Sequence, residues 1–291
     1  MIVSNPGDTN QVTTTNDVSF EQNTEVNDFN DYWFSGKAEL SSYELKQSRY
    51  GEIHDGEVVL VFVTEPFSLS KQVKLDYPKE SGLDKVSVMK LNQSRKFNTG
   101  IYDYSILSSV FTPIDIEEYP HTLKTTTSMQ EWCGHSYTQL NLQNDNYAIK
   151  QFSYFESEGD EEKQIKTAQL EDGLMTKIRI NNGQLPEGEM NLIPSAIYSR
   201  FTHNTLKPSK AKISKTETES RMNYEIKYLN INRTITIEVE KVFPYKIMGW
   251  TEDNGDGLLT TAKLKASTNQ PYWAQHNLAD EEKRKKLLQL K

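Results

Sequence analysis

A mainly β fold is the architecture that this 291-residue chain predicts. Its form is a large curved antiparallel sheet or half-open barrel, with one internal helix and short terminal helices. Three observations carry the expectation. Runs rich in Val, Ile, Thr, Tyr and Phe recur about every dozen residues, separated by Gly, Asn and Asp turn signals, the pattern of a sandwich or barrel. Helical spacing is confined to a few short stretches. No linker-like composition divides residues 30–275, so a single β-rich domain is expected over 26–291.

The elements follow in order. Residues 1–25, "MIVSNPGDTNQVTTTNDVSFEQNTE", are too polar to offset their ordering entropy and are expected to form a disordered tether. "FNDYWF" (29–34) suggests one helical turn bearing aromatics. "GEVVLVFVTEPF" (56–67) reads as a strand, with Asp55-Gly56 as the hairpin turn before it. "SVMKLN" and "IYDYSILSSVF" flank the turn signal Asn98-Thr99-Gly100. "TLKTTTSMQEWCGHSYTQLNLQ" (122–143) has no Pro and reads as one long strand, placing Trp132 in the core. "NYAIKQFSYFESE" (146–158) follows a Gln-Asn-Asp turn. "AQLEDGLMTKIRI" (168–180) has Leu170, Leu174 and Ile178 at helical spacing and predicts the internal helix. Strands resume through "EMNLIPSAIYSRFTH" and five later runs. Asp253-Asn254-Gly255-Asp256-Gly257 closes a hairpin, and "LADEEKRKKLLQL" predicts a terminal helix from about residue 277.

The net charge of −8 favours solubility and argues against a general nucleic-acid or anionic-membrane binder. There is no apolar run long enough for a membrane span. Met1 is followed by polar sequence, so no signal peptide is expected at the start of this chain. One cysteine excludes an intramolecular disulfide.

Candidate chemistry centres on "QEWCGHSYTQLN" (130–141). On a continuous strand, Glu131, Cys133 and His135 would share a face, and a Cys133–His135 pair oriented by Glu131 would be a hydrolase site. Strand spacing leaves the thiol and imidazole about 7 Å apart at the backbone, and no oxyanion donor is evident nearby. The favoured reading is that Cys133 is a packed, unreactive thiol. The five histidines lack zinc-motif spacing, the acids of 253–257 lack EF-hand spacing, and no nucleotide or nucleophile-elbow motif occurs, so neither metal nor cofactor is expected.

"YWFSGKAELSSYELKQSRYGEIHDGEVVLVFVTE", "KLNQSRKFNTGIYDYSI", "QEWCGHSYTQLN", "LIPSAIYSRFTH" and "LNINRTITIEVEKVFPYKIMGWTE" occur in this order. Together they resemble a group of Gram-negative envelope proteins, usually made as lipoproteins, some of which carry the label "septum formation inhibitor Maf". The resemblance spans roughly residues 30–275. Maf-type pyrophosphatases hold phosphate with an N-terminal Ser-Pro-Arg-Arg loop, whereas the N-terminal stretch here is "SNPGDTNQ" (4–11) and the strand pattern is wrong for their α/β fold, so that activity is not expected here. At the level of fold the chain is also similar to periplasmic domains of unknown function whose curved antiparallel sheet resembles that of lipoprotein carriers, and such sheets can enclose an apolar ligand. The resemblance therefore implies an exported protein, periplasmic or lipid-anchored in its full-length precursor. The expected function is non-enzymatic binding or structure, with an apolar small molecule or another envelope protein as partner.

Overall fold

Tight reversals need positive φ, which glycine adopts without a steric penalty. In the computed structural model, which describes residues 28–156 and 158–290, the first reversal is at Tyr50-Gly51 (φ 55° and 77°). It joins β1 (Ala38–Arg49) to β2 (Glu52–Ser68), so the Asp55-Gly56 turn expected from sequence lies inside β2. Gly56 is there for a different reason. A Cβ at that position would stand 2.3 Å from the Lys96 carbonyl oxygen and 2.8 Å from Phe97 Cβ. The glycine permits close approach of strands, not a turn.

The chain divides into two units, Met1–Ser35 and Gly36–Lys291. In the first, the described part is a helix α1 over 28–33, in which the Tyr32 and Trp33 rings meet edge to face at 4.9 Å. The tether expected over 1–25 lies outside the described residues.

The second unit is a single curved, unclosed sheet of fifteen strands. One arm continues from β2 through β3 (Lys85–Thr99), β4 (Tyr102–Pro113), β5 (Lys124–Glu131), β6 (Gly134–Gln143), β7 (Asn146–Ser153) and β8 (Glu161–Lys166). The other comprises β9 (Gln169–Leu170), β10 (Gly188–Ile193), β11 (Ser209–Glu217), β12 (Arg221–Tyr228), β13 (Thr234–Glu240), β14 (Ile247–Asp253) and β15 (Leu259–Gln270). Every ladder is antiparallel except the short β9–β10 pair, and the arms join through β1 and β15. The hairpin expected at 253–257 connects β14 to β15. The expected antiparallel architecture is therefore present.

Alternation decides which residues face in. Register places Leu45 beside Gly56, Gly56 beside Phe97 and Phe97 beside Tyr104, forming one inward layer. Leu40 and Ser42 point out and are covered by α4 (Glu281–Leu288), where Ser42 Oγ donates to the Leu288 carbonyl at 2.5 Å. Leu288 and Leu290 pack there with Leu40, Val59 and Val61. The terminal helix expected from about 277 begins with a 3-10 turn, Leu278–Asp280, and the Asp280 carboxylate accepts the Asn277 N–H at 3.1 Å.

Two short helices fill the interior. The predicted helix over 168–180 is only half helical: β9 and a 3-10 turn precede α2 (Leu174–Ile180). A second helix, α3 (Ala196–Thr202), stands where sequence periodicity suggested a strand through "EMNLIPSAIYSRFTH". Pro194 has no N–H for a ladder, and Ser195 Oγ accepts the Ile197 N–H at 3.1 Å, starting the helix. At their far edges, β8 and β9, the two arms meet without a backbone ladder. Instead Leu140, Tyr147 and Ile149 of β6 and β7 pack on Leu170, Ile193 and Leu206 from the far arm.

Candidate functional site

The stretch 130–141 is a hairpin, not one strand. β5 ends at Glu131 and β6 begins at Gly134, with Trp132 and Cys133 in the turn. Glu131 pairs with Gly134 and Gln130 with His135, so Glu131 and His135 lie on opposite faces of the sheet. Cys133 is exposed, which corrects the expected packed thiol. Trp132 is 69% exposed rather than core, and its Nε1 donates to Asp103 Oδ1 at 2.7 Å. The Glu131 carboxylate accepts the Cys133 N–H at 2.7 Å. Hydrogen bonding to Glu131 and its negative charge push the thiol pKa up. A nucleophilic cysteine needs the opposite shift.

The interior holds charges that sequence reading missed, because they come from strands far apart in the chain. Arg95 on β3 donates from Nη2 to Glu252 Oε1 at 2.5 Å and from Nη1 to Gln47 Oε1 at 3.0 Å. Arg233 donates from Nε to Glu171 Oε2 at 2.9 Å and stacks 4.5 Å from the Tyr198 ring centre. Tyr228 Oη donates to the same Glu171 oxygen at 2.9 Å. Burial pushes the Glu252 carboxyl up, but Arg95 and Arg233 outweigh it and hold it at about 2. Burial, and then the Glu171 charge, lift Asp172 to about 6, against a hydrogen bond from Ser195. Asp172 Oδ2 also accepts the N–H of Ala196, the first residue of α3, at 3.2 Å.

A second buried pair fastens α2. Arg179 meets Glu39 in a two-pronged contact, both distances 2.6 Å, with the guanidinium 4.7 Å from the Phe62 ring centre. On the other flank of α2, Thr176 and Thr112 hydroxyls meet at 2.7 Å. The space left among Arg95, Asp172, Ser195, Arg233 and Trp250 is about 50 Å³. That is room for a few water molecules and not for an acyl chain.

Larger openings lie elsewhere. A groove of about 390 Å³ runs between the outer face of β1 and β15 and the C-terminal segment. Leu40, Tyr272, Leu278 and Leu287 line its apolar side, and His276, Asp280, Glu281, Lys283 and Arg284 its polar side, where Lys283 Nζ donates to Asp280 Oδ1 at 2.7 Å. A polar pocket of about 190 Å³ lies between β6, β7 and α3. There Glu158 accepts from Arg200 Nη1 at 2.9 Å and lies 2.6 Å from His203 Nδ1. Among the described residues no three His, Cys, Asp or Glu side chains are grouped to hold a metal ion. Asp253 and Asp256 instead accept the Gly255 and Leu258 amides of their own turn, at 2.8 and 3.0 Å. No described helix is long and apolar enough to cross a membrane.

No family model matches the chain, and no curated protein does. Among solved structures it is similar to the crystal structure of a β-barrel-like protein of the domain of unknown function DUF1849 from Brucella abortus. The identity is 10%, over 80% of this chain and 97% of that one, with a TM-score of 0.47.

Proposed function

We propose that this chain is a non-catalytic binding protein of the bacterial envelope, and that its ligand is a lipid-like molecule held in the outer groove. The groove carries the reading. Its volume, about 390 Å³, falls in the range of small-molecule sites, and it combines apolar walls with a few polar groups. Leu278 and Leu287 suit an acyl chain, while Lys283, Arg284 and His276 suit an anionic head group. The space among the buried charges is far smaller, about 50 Å³, and an opening of about 530 Å³ over β1, β2 and β3 is lined largely by charged side chains, Glu44, Asp55, Glu57, Lys96 and Lys265. Placement in the envelope rests on the family resemblance of the sequence.

Titration with a fluorescent fatty acid tests the reading. Saturable binding is expected, weakened by Leu278→Asp and by Lys283→Glu with Arg284→Glu. Leu278 is 85% exposed, so its replacement leaves the core intact. Failure of the probe to bind, or binding indifferent to all three changes, would overturn the assignment.

A further inference from the structure

Antiparallel pairing in chain order puts the turns of β1–β2, β3–β4, β5–β6 and β7–β8 at one end of the sheet. Each of these tips presents a large apolar side chain. Tyr50, Ile101, Trp132 and Tyr154 are 61, 87, 69 and 66% exposed. Apolar groups clustered at one surface mark interaction sites more often than scattered ones do. Three of the four are braced. Tyr50 Oη bonds Tyr104 Oη at 2.7 Å, and Trp132 is held by Asp103. Tyr154 packs over Gly134, where a Cβ would stand 2.5 Å from the Tyr154 ring. Rigid aromatic anchors of this kind lose little entropy on binding.

The charge at these tips is mainly acidic, the exception from outside the tips being Arg200 of α3, which pairs with Glu158 and lies 4.2 Å from the Phe155 ring centre. Glu52, Asp103, Glu131, Glu156 and Asp160 all belong to them. Arg49 is the only Lys or Arg in 49–53, 99–103, 130–135 and 153–160. Its guanidinium donates to the Phe201 carbonyl at 2.9 Å and lies between the Tyr50 and Phe201 rings, 4.4 and 4.6 Å from their centres, so it covers one face of Tyr50 and leaves Trp132 and Tyr154 as the open aromatic faces.

We propose that this rim is a docking surface for a basic polypeptide segment rich in Lys or Arg. Aromatic faces and carboxylates side by side attract cations through ring quadrupole and charge together. An anionic bilayer would be repelled, and a second copy would set acidic rim against acidic rim. The rim lies at the end of the sheet opposite the start of β1 and the end of β15, so it is separate from the groove.

The test is fluorescence anisotropy with a dye-labelled oligolysine peptide carrying one central tryptophan, and a serine-for-lysine version as control. The lysine peptide should bind, more weakly as salt rises. Trp132→Ala should weaken it about ten-fold, and Glu52→Gln with Glu156→Gln should weaken it too. Glu117→Gln with Glu118→Gln, exposed at the other end of the sheet, should leave it unchanged. Circular dichroism checks that each variant is folded. Equal losses at both ends would reduce the effect to diffuse net charge and overturn the proposal. So would rim variants that bind like the parent. Rim-dependent binding of an oligosaccharide or of anionic vesicles, with the lysine peptide inert, would also overturn it.

Discussion

Glu131 governs the chemistry of Cys133 through two contacts of a single turn. Its carboxylate holds the turn amide and raises the thiol pKa, so less thiolate is present at neutral pH. Glu131→Gln is expected to speed iodoacetamide labelling of the folded protein near neutral pH, while His135→Ala leaves the rate unchanged. A rate lost with His135 would restore the Cys–His pair. Trp132→Ala should change stability by no more than about 0.5 kcal/mol by denaturant melting, as expected for an exposed side chain; a loss of several kcal/mol would mean the ring is core. Asp172 carries the opposite risk to Glu252. Its folded pKa, about 6, lies above the 3.8 of an ordinary Asp, so the fold binds the extra proton. Stability from this group is full below about pH 4 and is lost as pH rises through 6. Glu252, held at about 2 against an ordinary 4.5, contributes stability above about pH 4.5 that is lost as pH falls toward 2. Asp172→Asn should therefore stabilise at pH 7 by up to about 3 kcal/mol, with the gain vanishing near pH 4. Urea melts across that range check it, and a pH-independent difference would contradict the assignment.

The α2 helix is seven residues, too short to persist alone, and its contacts hold it. Arg179 is 1% exposed and Glu39 1%. Removing one member of such a pair strands the other charge in the interior, at a cost of about 3–5 kcal/mol. Arg179→Met should show that loss by denaturant melting, and Arg179→Met with Glu39→Gln should recover much of it. An additive double variant would show that the pair is not the fastening. What was legible in the sequence follows the same division between local and distant causes. Period-two runs identified most strands, because alternation is a local property of each, but β1 and β8 were not singled out, β9 was read as helix, and β5 and β6 were read as one run. Asn98-Thr99-Gly100 and Asp253–Gly257 marked turns correctly, while Asp55-Gly56 misled because a glycine serving close strand approach looks the same as one serving a reversal. The Cys133 hairpin was hidden since Trp132-Cys133 is not a usual turn pair. α3 was hidden because "PSAIYSRFT" is apolar in a way that suits either strand or helix. Glu39, Arg95, Glu171, Arg179, Arg233 and Glu252 each look like ordinary surface charges in sequence. Only the curvature of the sheet brings them together.

At the scale of the whole molecule, thirteen of the fifteen strands follow a neighbour in chain order, and the β1–β15 ladder is the one long closure. Non-local pairing is what slows folding, and each arm is a local meander that needs the other along that ladder, the apolar seam and the buried pairs Arg95–Glu252 and Arg179–Glu39. Between β8 and β9 the chain passes from one arm to the other through Thr167 and Ala168 with no shared ladder. The molecule is thus expected to be divisible at this connection. Cutting the peptide bond between Thr167 and Ala168 leaves two fragments, each carrying an unbroken set of hairpins. Co-expressed, they should reassemble by re-forming β1 against β15 and the seam of Tyr147 and Ile149 on Leu170 and Ile193. Gel filtration of the pair as a single species with the parent circular dichroism spectrum would show it; a cut within β2 should abolish assembly. A protein divisible in this way is a two-part reporter, its halves inert apart and folded together.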